Sequence, residues 1–282
     1  MSESTRRILL FDSGMGGLTV ARAVRAALPE AALFYAADNA AFPYGAWEEG
    51  ALTERIDRVI SRLLEEVAPD VTVIACNTAS TIALPTLRLR HAGPFVGTVP
   101  AIKPAAAQTK SGIVGVLATP GTVKREYTQA LIHTYAFHCK VVLHGAPKLA
   151  EIAEAKLKGS AYAAAAIGPE IAPVFVERDG KRTDVVVLGC THYPLLVEEM
   201  TQAAPWPVTF LDPAPAIARR VVSLLGELPP GAHAQERHGA GTLFLTDRNR
   251  HAGELEAYAA NGFGRLEILD LPATETARIS GL

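Results

Sequence analysis

The chain has few of the residues that mark a specialised environment. Its 282 residues include only three cysteines, two tryptophans and three methionines, and aromatic residues make up 6%. An odd number of cysteines without CxxC spacing argues against a disulfide framework and a structural zinc site, so each thiol needs its own explanation. An excess of one charge is also missing: 27 Lys+Arg stand against 29 Asp+Glu, for a net charge of −2. That balance gives no general attraction to nucleic acid or to an anionic membrane, and it points to a small ligand. No apolar run approaches the roughly 20 residues of a membrane span. The opening Met-Ser-Glu-Ser-Thr-Arg-Arg lacks the long apolar stretch and cleavage pattern of a secretion signal, so a cytoplasmic location is expected.

Hydrophobic residues make up 49% of the chain, enough for a sizeable core divided between two domains. Short β-rich apolar stretches recur at Arg7 to Phe11, Leu33 to Ala36, Val71 to Ala75, Ile113 to Leu117, Val141 to Leu143 and Val185 to Leu188. Between them lie helical patterns: Leu18 to Leu28, Thr53 to Val67, Val123 to Tyr135, Leu149 to Lys158 and Ala216 to Leu225. This alternation predicts the α/β class, with parallel sheets covered on both faces. Ala161 to Ala166 reads as a further packed helix. The Pro- and Gly-containing stretch from Gly226 to Gly241 reads as a long loop outside the chemistry.

An inexact internal repeat links two parts of the chain. Asp70-Val-Thr-Val-Ile-Ala-Cys76-Asn-Thr and Asp184-Val-Val-Val-Leu-Gly-Cys190-Thr-His each place an Asp six positions before a Cys, across an apolar strand. Similarly, Ile8-Leu-Leu-Phe-Asp-Ser-Gly and Val114-Gly-Val-Leu-Ala-Thr-Pro-Gly each run a strand into a Gly-containing turn. Two related, pseudo-twofold halves would account for both pairs, although βα units resemble one another in any case. Ligands of parallel sheets bind beyond the carboxyl ends of the strands, so each Cys is expected at a ligand-facing turn.

Two such thiols suit one kind of chemistry. Inverting an amino-acid α-carbon means removing a proton from one face and returning one to the other. A thiol, with an ordinary pKa of about 8.5, can serve as either base or acid near neutrality. A helix N-terminus after each strand would favour the anion. Asn77, Thr78, Thr191 and His192 would supply further hydrogen bonds where charge develops. His192 could tune Cys190 or relay protons. Asp12, in the loop Asp12-Ser13-Gly14-Met15-Gly16-Gly17, could orient an ammonium group or assist a thiol. The same loop is a poor dinucleotide fingerprint, because Thr19 stands where Gly or Ala is wanted. Lys103 lacks the phosphate cradle that a pyridoxal phosphate lysine would need. Cys139 reads as a small buried hydrophobe.

Five segments, in order, resemble the glutamate racemases of bacterial cell-wall synthesis. They are Phe11-Asp-Ser-Gly-Met-Gly-Gly-Leu18, Ala37-Asp-Asn-Ala-Ala-Phe-Pro-Tyr-Gly45, Ala75-Cys-Asn-Thr-Ala-Ser80, Val99-Pro-Ala-Ile-Lys-Pro104 and Leu188-Gly-Cys-Thr-His-Tyr-Pro194. The resemblance spans nearly the whole chain. It implies two similar α/β domains, residues 1–98 with 209–270 and residues 99–208, and an active site in the interdomain cleft. It also implies cofactor-independent interconversion of L- and D-glutamate. By this likeness Cys76 takes the proton of D-glutamate, supported by Asp12, and Cys190 that of L-glutamate, supported by His192. Asp12, Ser13, Tyr44, Gly45, Asn77, Thr78, Thr191 and His192 would hold the substrate, and the family's second-domain glutamate would be Glu154 or Glu151. Activation by a cell-wall precursor and a homodimer are left open by the resemblance.

The chain departs from the family pattern at Gly45-Ala-Trp-Glu-Glu-Gly50 and at Asp212-Pro-Ala-Pro, which puts cleft-edge contacts and regulation in question. Other readings stay open on the residues alone. They are a similar racemase acting on aspartate or on a cyclic derivative, a hydrolase with Cys190 as nucleophile and His192 as its partner, and an amino-acid-binding module without catalysis.

Overall fold

The structure, a computed structural model, describes residues 5–228, 240–248 and 252–271. Its contacts divide the chain into two compact units, one drawn from Met1–Thr98 and Ala214–Leu282, the other Val99–Pro213.

The first unit begins with β1 (Arg7–Asp12), α1 (Leu18–Ala27), β2 (Ala32–Ala37), α2 (Glu49–Val67), β3 (Val71–Ile74), α3 (Asn77–Ile82), α4 (Leu84–Arg90) and β4 (Phe95–Gly97). β1 pairs in parallel with both β2 and β3, and β3 with β4. Alternate strand residues face opposite sides of the sheet. Leu9 and Phe11 join the core formed with Leu52, Ile56, Ile60 and Leu63 of α2, each such burial contributing about 2 kcal/mol. Helix α2 begins four residues before the periodicity indicated, because the Glu48 side chain caps it by accepting a hydrogen bond from the Ala51 N–H at 2.8 Å. It stops where Ala68 turns left-handed (φ 43°) ahead of Pro69.

The second unit runs through α5 (Ile102–Gln108), β5 (Ile113–Ala118), α6 (Pro120–Val123), α7 (Glu126–Tyr135), β6 (Lys140–Gly145), α8 (Leu149–Leu157) and α9 (Ile167–Ile171). A two-stranded antiparallel ribbon, β7 (Glu177–Arg178) and β8 (Lys181–Arg182), precedes β9 (Val185–Gly189), α10 (Val197–Ala203) and β10 (Thr209–Leu211). Its sheet order is β10-β9-β5-β6, all parallel. Leu117, Val186 and Leu188 pack towards α8, α9 and α10, while Val114, Val116, Val185 and Val187 pack towards α5 and α7. Because β10 pairs with β9, the chain returns to the first unit at Ala214 rather than at residue 209. There α11 (Ala214–Glu227) packs on α1, and β11 (Thr242–Leu245), α12 (Ala252–Ala260) and β12 (Arg265–Ile268) complete a sheet of order β12-β11-β2-β1-β3-β4.

With β1 matched to β5 and β3 to β9, the central order β2-β1-β3-β4 is repeated as β6-β5-β9-β10. The repeated aspartates do similar work. Asp70 accepts from the Arg7 N–H at 2.7 Å, and Asp184 accepts from the Lys110 and Ser111 N–H groups at 2.7 and 2.9 Å. Each therefore ties the start of its own strand to the segment leading into the neighbouring one.

Two expected elements need correction. The helix expected at Ala161 to Ala166 is reduced to one 3-10 turn, Ala164–Ala166, with no buried residue. A run of alanines there has no apolar face to pack, and propensity alone does not hold a short helix. The pattern from Val123 to Tyr135 is split at Lys124 and Arg125 into α6 and α7. Most of the loop expected from Gly226 to Gly241 lies outside the described residues, and α11 extends into its start.

Candidate active site

In the first unit the chemistry-bearing side chains gather where β1 and β3 end side by side, the point at which the strand order reverses direction. Asp12 closes β1 and is fully buried. Its carboxylate accepts from the Ser13 N–H at 2.6 Å, from the Ser13 hydroxyl at 3.2 Å and from the Gly17 N–H. Gly17 has no room for a side chain: a Cβ there would stand 2.8 Å from Tyr35 Oη and 2.9 Å from Asp12 Oδ2. Ser13 Oγ lies 3.9 Å from Cys76 Sγ. Cys76, two residues past β3, is the N-cap of α3, and its sulfur accepts from the Ala79 N–H at 3.5 Å.

Asn77 is the anomaly of this turn. It is buried, yet neither its amide nitrogen nor its amide oxygen has a hydrogen-bond partner among the described residues. Leaving both unsatisfied would cost about 1–3 kcal/mol each, so a bound polar ligand is the natural complement. Thr78 is buried beside it, whereas Gly45 is exposed in the 3-10 turn Tyr44–Ala46.

Tyr44 is buried, and its hydroxyl donates to Asp38 Oδ2 at 2.7 Å. Burial first, then the Asp38 and Cys76 charges, push its phenol well above the ordinary range, so it stays neutral. Asp38 is itself fully buried. Two Arg55 nitrogens donate to it at 2.7 and 2.6 Å and the Thr246 hydroxyl at 2.7 Å. Sequence reasoning missed Asp38 and Arg55. The available signal was a carboxylate in the segment that carries Tyr44.

In the second unit Cys190 follows β9 directly. Gly189 before it fits a close strand approach: a Cβ would stand 2.9 Å from both the Ala118 Cβ and the Leu117 carbonyl oxygen. Cys190 Sγ lies 3.7 Å from His192 Nδ1, His192 Nε2 lies 2.8 Å from Glu154 Oε1, and Lys158 Nζ lies 3.3 Å from Glu154 Oε2. Between the two glutamates left open, α8 buries Glu154 against the histidine and leaves Glu151 exposed. Burial of His192 opposes its charge, but Cys190 and Glu154 outweigh that opposition. The imidazole is held protonated well above the ordinary histidine range. Thr191 is buried between the two. Cys139 is only half-buried, against the core that packs on α5 and α7, and burial, then the Asp184 charge, raise its pKa.

Each unit thus carries a buried strand-end thiol with a different set of polar neighbours. Such a thiol can give up or accept a proton without a second reagent. No helix among the described residues is long and apolar enough to cross a membrane.

Two doubly wound parallel units with matching strand order and a thiol at the switch point of each define a two-domain α/β protein built for thiol acid/base chemistry. Residues 18–221 match the model of the Asp/Glu/Hydantoin racemases, and the chain belongs to that family. It is 53% identical over 249 residues to a glutamate racemase of Brucella anthropi, covering 88% of this chain and 89% of that one. The glutamate racemase of Brucella canis is 54% identical over 86% of this chain and 87% of its own length. Among solved structures, Escherichia coli glutamate racemase in complex with L-glutamate and the activator UDP-MurNAc-Ala superposes with a TM-score of 0.88. It is 41% identical, with 95% of this chain and all of that chain covered. A glutamate racemase isoform from Bacillus anthracis follows at a TM-score of 0.79 and 26% identity, covering 96% of this chain and all of that one.

Proposed function

We propose that the chain interconverts L- and D-glutamate by a two-thiol proton transfer, with no cofactor, and supplies D-glutamate for peptidoglycan synthesis. The observation that carries this reading is a buried thiol at the same switch-point position of two topologically matching units, in a chain 53% identical to a glutamate racemase. In this reading Cys76 and Cys190 act on opposite faces of the α-carbon of one substrate molecule. One sulfur, as thiolate, removes the α-proton. The electron pair left on carbon delocalises into the α-carboxylate, and the thiol of the other cysteine returns a proton to the opposite face. Each turn leaves the two cysteines with exchanged protonation states.

The remaining residues take roles that their surroundings support. Asp12 holds Ser13 and the Gly17 turn against Cys76, while the Ser13 hydroxyl and the Asn77 amide receive the substrate's polar groups. Thr78, Thr191 and the turn backbone of Tyr44 and Gly45 complete the binding set. The protonated His192, backed by Glu154, offers Cys190 a positive neighbour and a proton donor. A cell-wall precursor of the kind present with the E. coli enzyme would act as activator.

Deuterium exchange tests substrate and mechanism together. D- and L-glutamate are supplied separately in D₂O without added cofactor or metal, and Cα–H loss is followed by NMR. Deuterium at Cα together with the mirror-image isomer is expected from either starting material. Exchange of aspartate but not glutamate would reassign the substrate, and no exchange with either would remove the racemase reading.

A further inference from the structure

We infer that the first unit carries a second, non-catalytic site, for a small organic phosphate, in the arginine-lined cavity between α2 and the carboxyl ends of β11 and β12. The cavity has a volume of about 430 Å³, the size range of small-molecule pockets. Arg55, Arg58 and Arg62 line it from one face of α2, at i, i+3 and i+7 spacing. Arg248 enters from beyond β11. These four guanidinium groups face a single lining carboxylate, Asp270.

The arginines are unequally committed. Arg55 gives Nε and Nη2 to Asp38, which leaves Nη1 without a hydrogen-bond partner among the described residues. Arg58 has no ion pair among those residues and is exposed. Among the described residues Arg62 pairs with the exposed Glu65 and Glu66, and Arg248 with Asp270 across an exposed contact at 2.9 Å. Surface pairs of this kind contribute little and exchange readily for a better anion. The Ser61 and Thr246 hydroxyls are already donating, to the Asp57 carbonyl and to Asp38, so the guanidinium groups supply the free donors.

Guanidinium forks match a phosphate's oxygens, and the dianion suits a net excess of positive charge. The rest of the lining selects the body of the ligand. Ile268, Leu269 and Leu271 give the cavity an apolar side, which a bare phosphate would leave exposed to water and an aromatic or aliphatic ester would cover. The position also follows the rule for parallel sheets, in which ligands sit beyond the strands' carboxyl ends. Arg55 lines this cavity and grips Asp38, which in turn holds Tyr44, so the site adjoins the support of a proposed substrate-binding residue without including it.

Calorimetric titration of the full chain with phenyl phosphate tests the inference, with inorganic phosphate and phenol as controls, first without and then with D-glutamate at saturation. Phenyl phosphate is expected to bind with a dissociation constant of about 0.1 mM, and each control at least about tenfold more weakly. Arg58→Ala with Arg62→Ala, and separately Arg248→Ala, should each weaken phenyl phosphate by about tenfold or more. A single Arg58→Gln keeps the test decisive if the double variant does not fold. Cys76→Ser should bind it unchanged, so the outcome does not depend on the racemase reading. No binding up to about 5 mM, binding that the arginine variants leave intact, or binding abolished by D-glutamate would each overturn the inference.

Discussion

Cys76 and Cys190 stand at the same place in the same strand order, and they are backed by different chemistry. Cys76 lies 3.9 Å from the Ser13 hydroxyl and accepts from the Ala79 N–H, and the Asp12 carboxylate accepts from the N–H of Ser13 in the turn that follows it. Behind Cys190 runs a chain of ionisable groups from the buried His192 and Glu154 out to the half-buried Lys158. A repeated topology therefore fixes where a thiol can stand and leaves open how its proton is managed. One half sets a hydroxyl and a backbone N–H against its thiol and the other a charged imidazole, so the halves should fail differently when these partners are changed.

The largest expected effect would make the halves equal. Cys76→Ser and Cys190→Ser should each lower kcat for both directions by about a thousandfold, since an alcohol is a far poorer acid/base than a thiol near neutrality. Racemisation followed by circular dichroism from each enantiomer reads this, and a variant that kept one direction would break the symmetry.

Next comes stability in the first unit alone. Arg55→Met leaves the fully buried Asp38 without its ion partner and should cost about 3 kcal/mol in chemical denaturation, with no counterpart in the other unit. Glu154→Gln is expected to lower kcat by about ten- to a hundredfold while changing KM little. It should also move the His192 titration, followed by NMR, down towards the ordinary range. Because the folded-state pKa of His192 is raised, its charged contacts stabilise the fold fully below about pH 6.5. That contribution is lost as pH rises through the raised value. The stability gap between wild type and Glu154→Gln should therefore be widest on the acid side and close as His192 deprotonates. Tyr44→Phe is the mildest, removing one hydrogen bond to a charged acceptor for about 1.5 kcal/mol.

Much of this arrangement was legible in the sequence, for physical reasons. Strands buried on both faces read as short continuous apolar runs, so β1, β3, β5 and β9 were found nearly to the residue. The paired Asp-to-Cys segments exposed the duplication because strand length fixes their spacing. The two thiols, Asp12 and His192 stood out by residue type and position at strand ends.

Partners chosen by folding rather than by spacing were harder. Glu154 and Glu151 lie on one helix and differ only in which way α8 turns. Arg55 reaches Asp38 from 17 positions away, and nothing local marks it among the other arginines of α2. The alanine-rich segment after Ser160 misled because propensity was read without a face to bury. Strands β4 and β10 are only three residues long, too short for any periodicity to show.

The route of the chain has a consequence for its synthesis. β2 holds β1 on one side and β11 on the other, yet β11 follows the entire second unit in the order of translation. While that unit is being made, the apolar β2 has its outer edge unpaired, the situation in which a nascent sheet recruits the wrong strand. A chain released early, anywhere before Thr242, keeps that open edge. Its fate then depends on chaperone capture rather than on the stability of the finished fold.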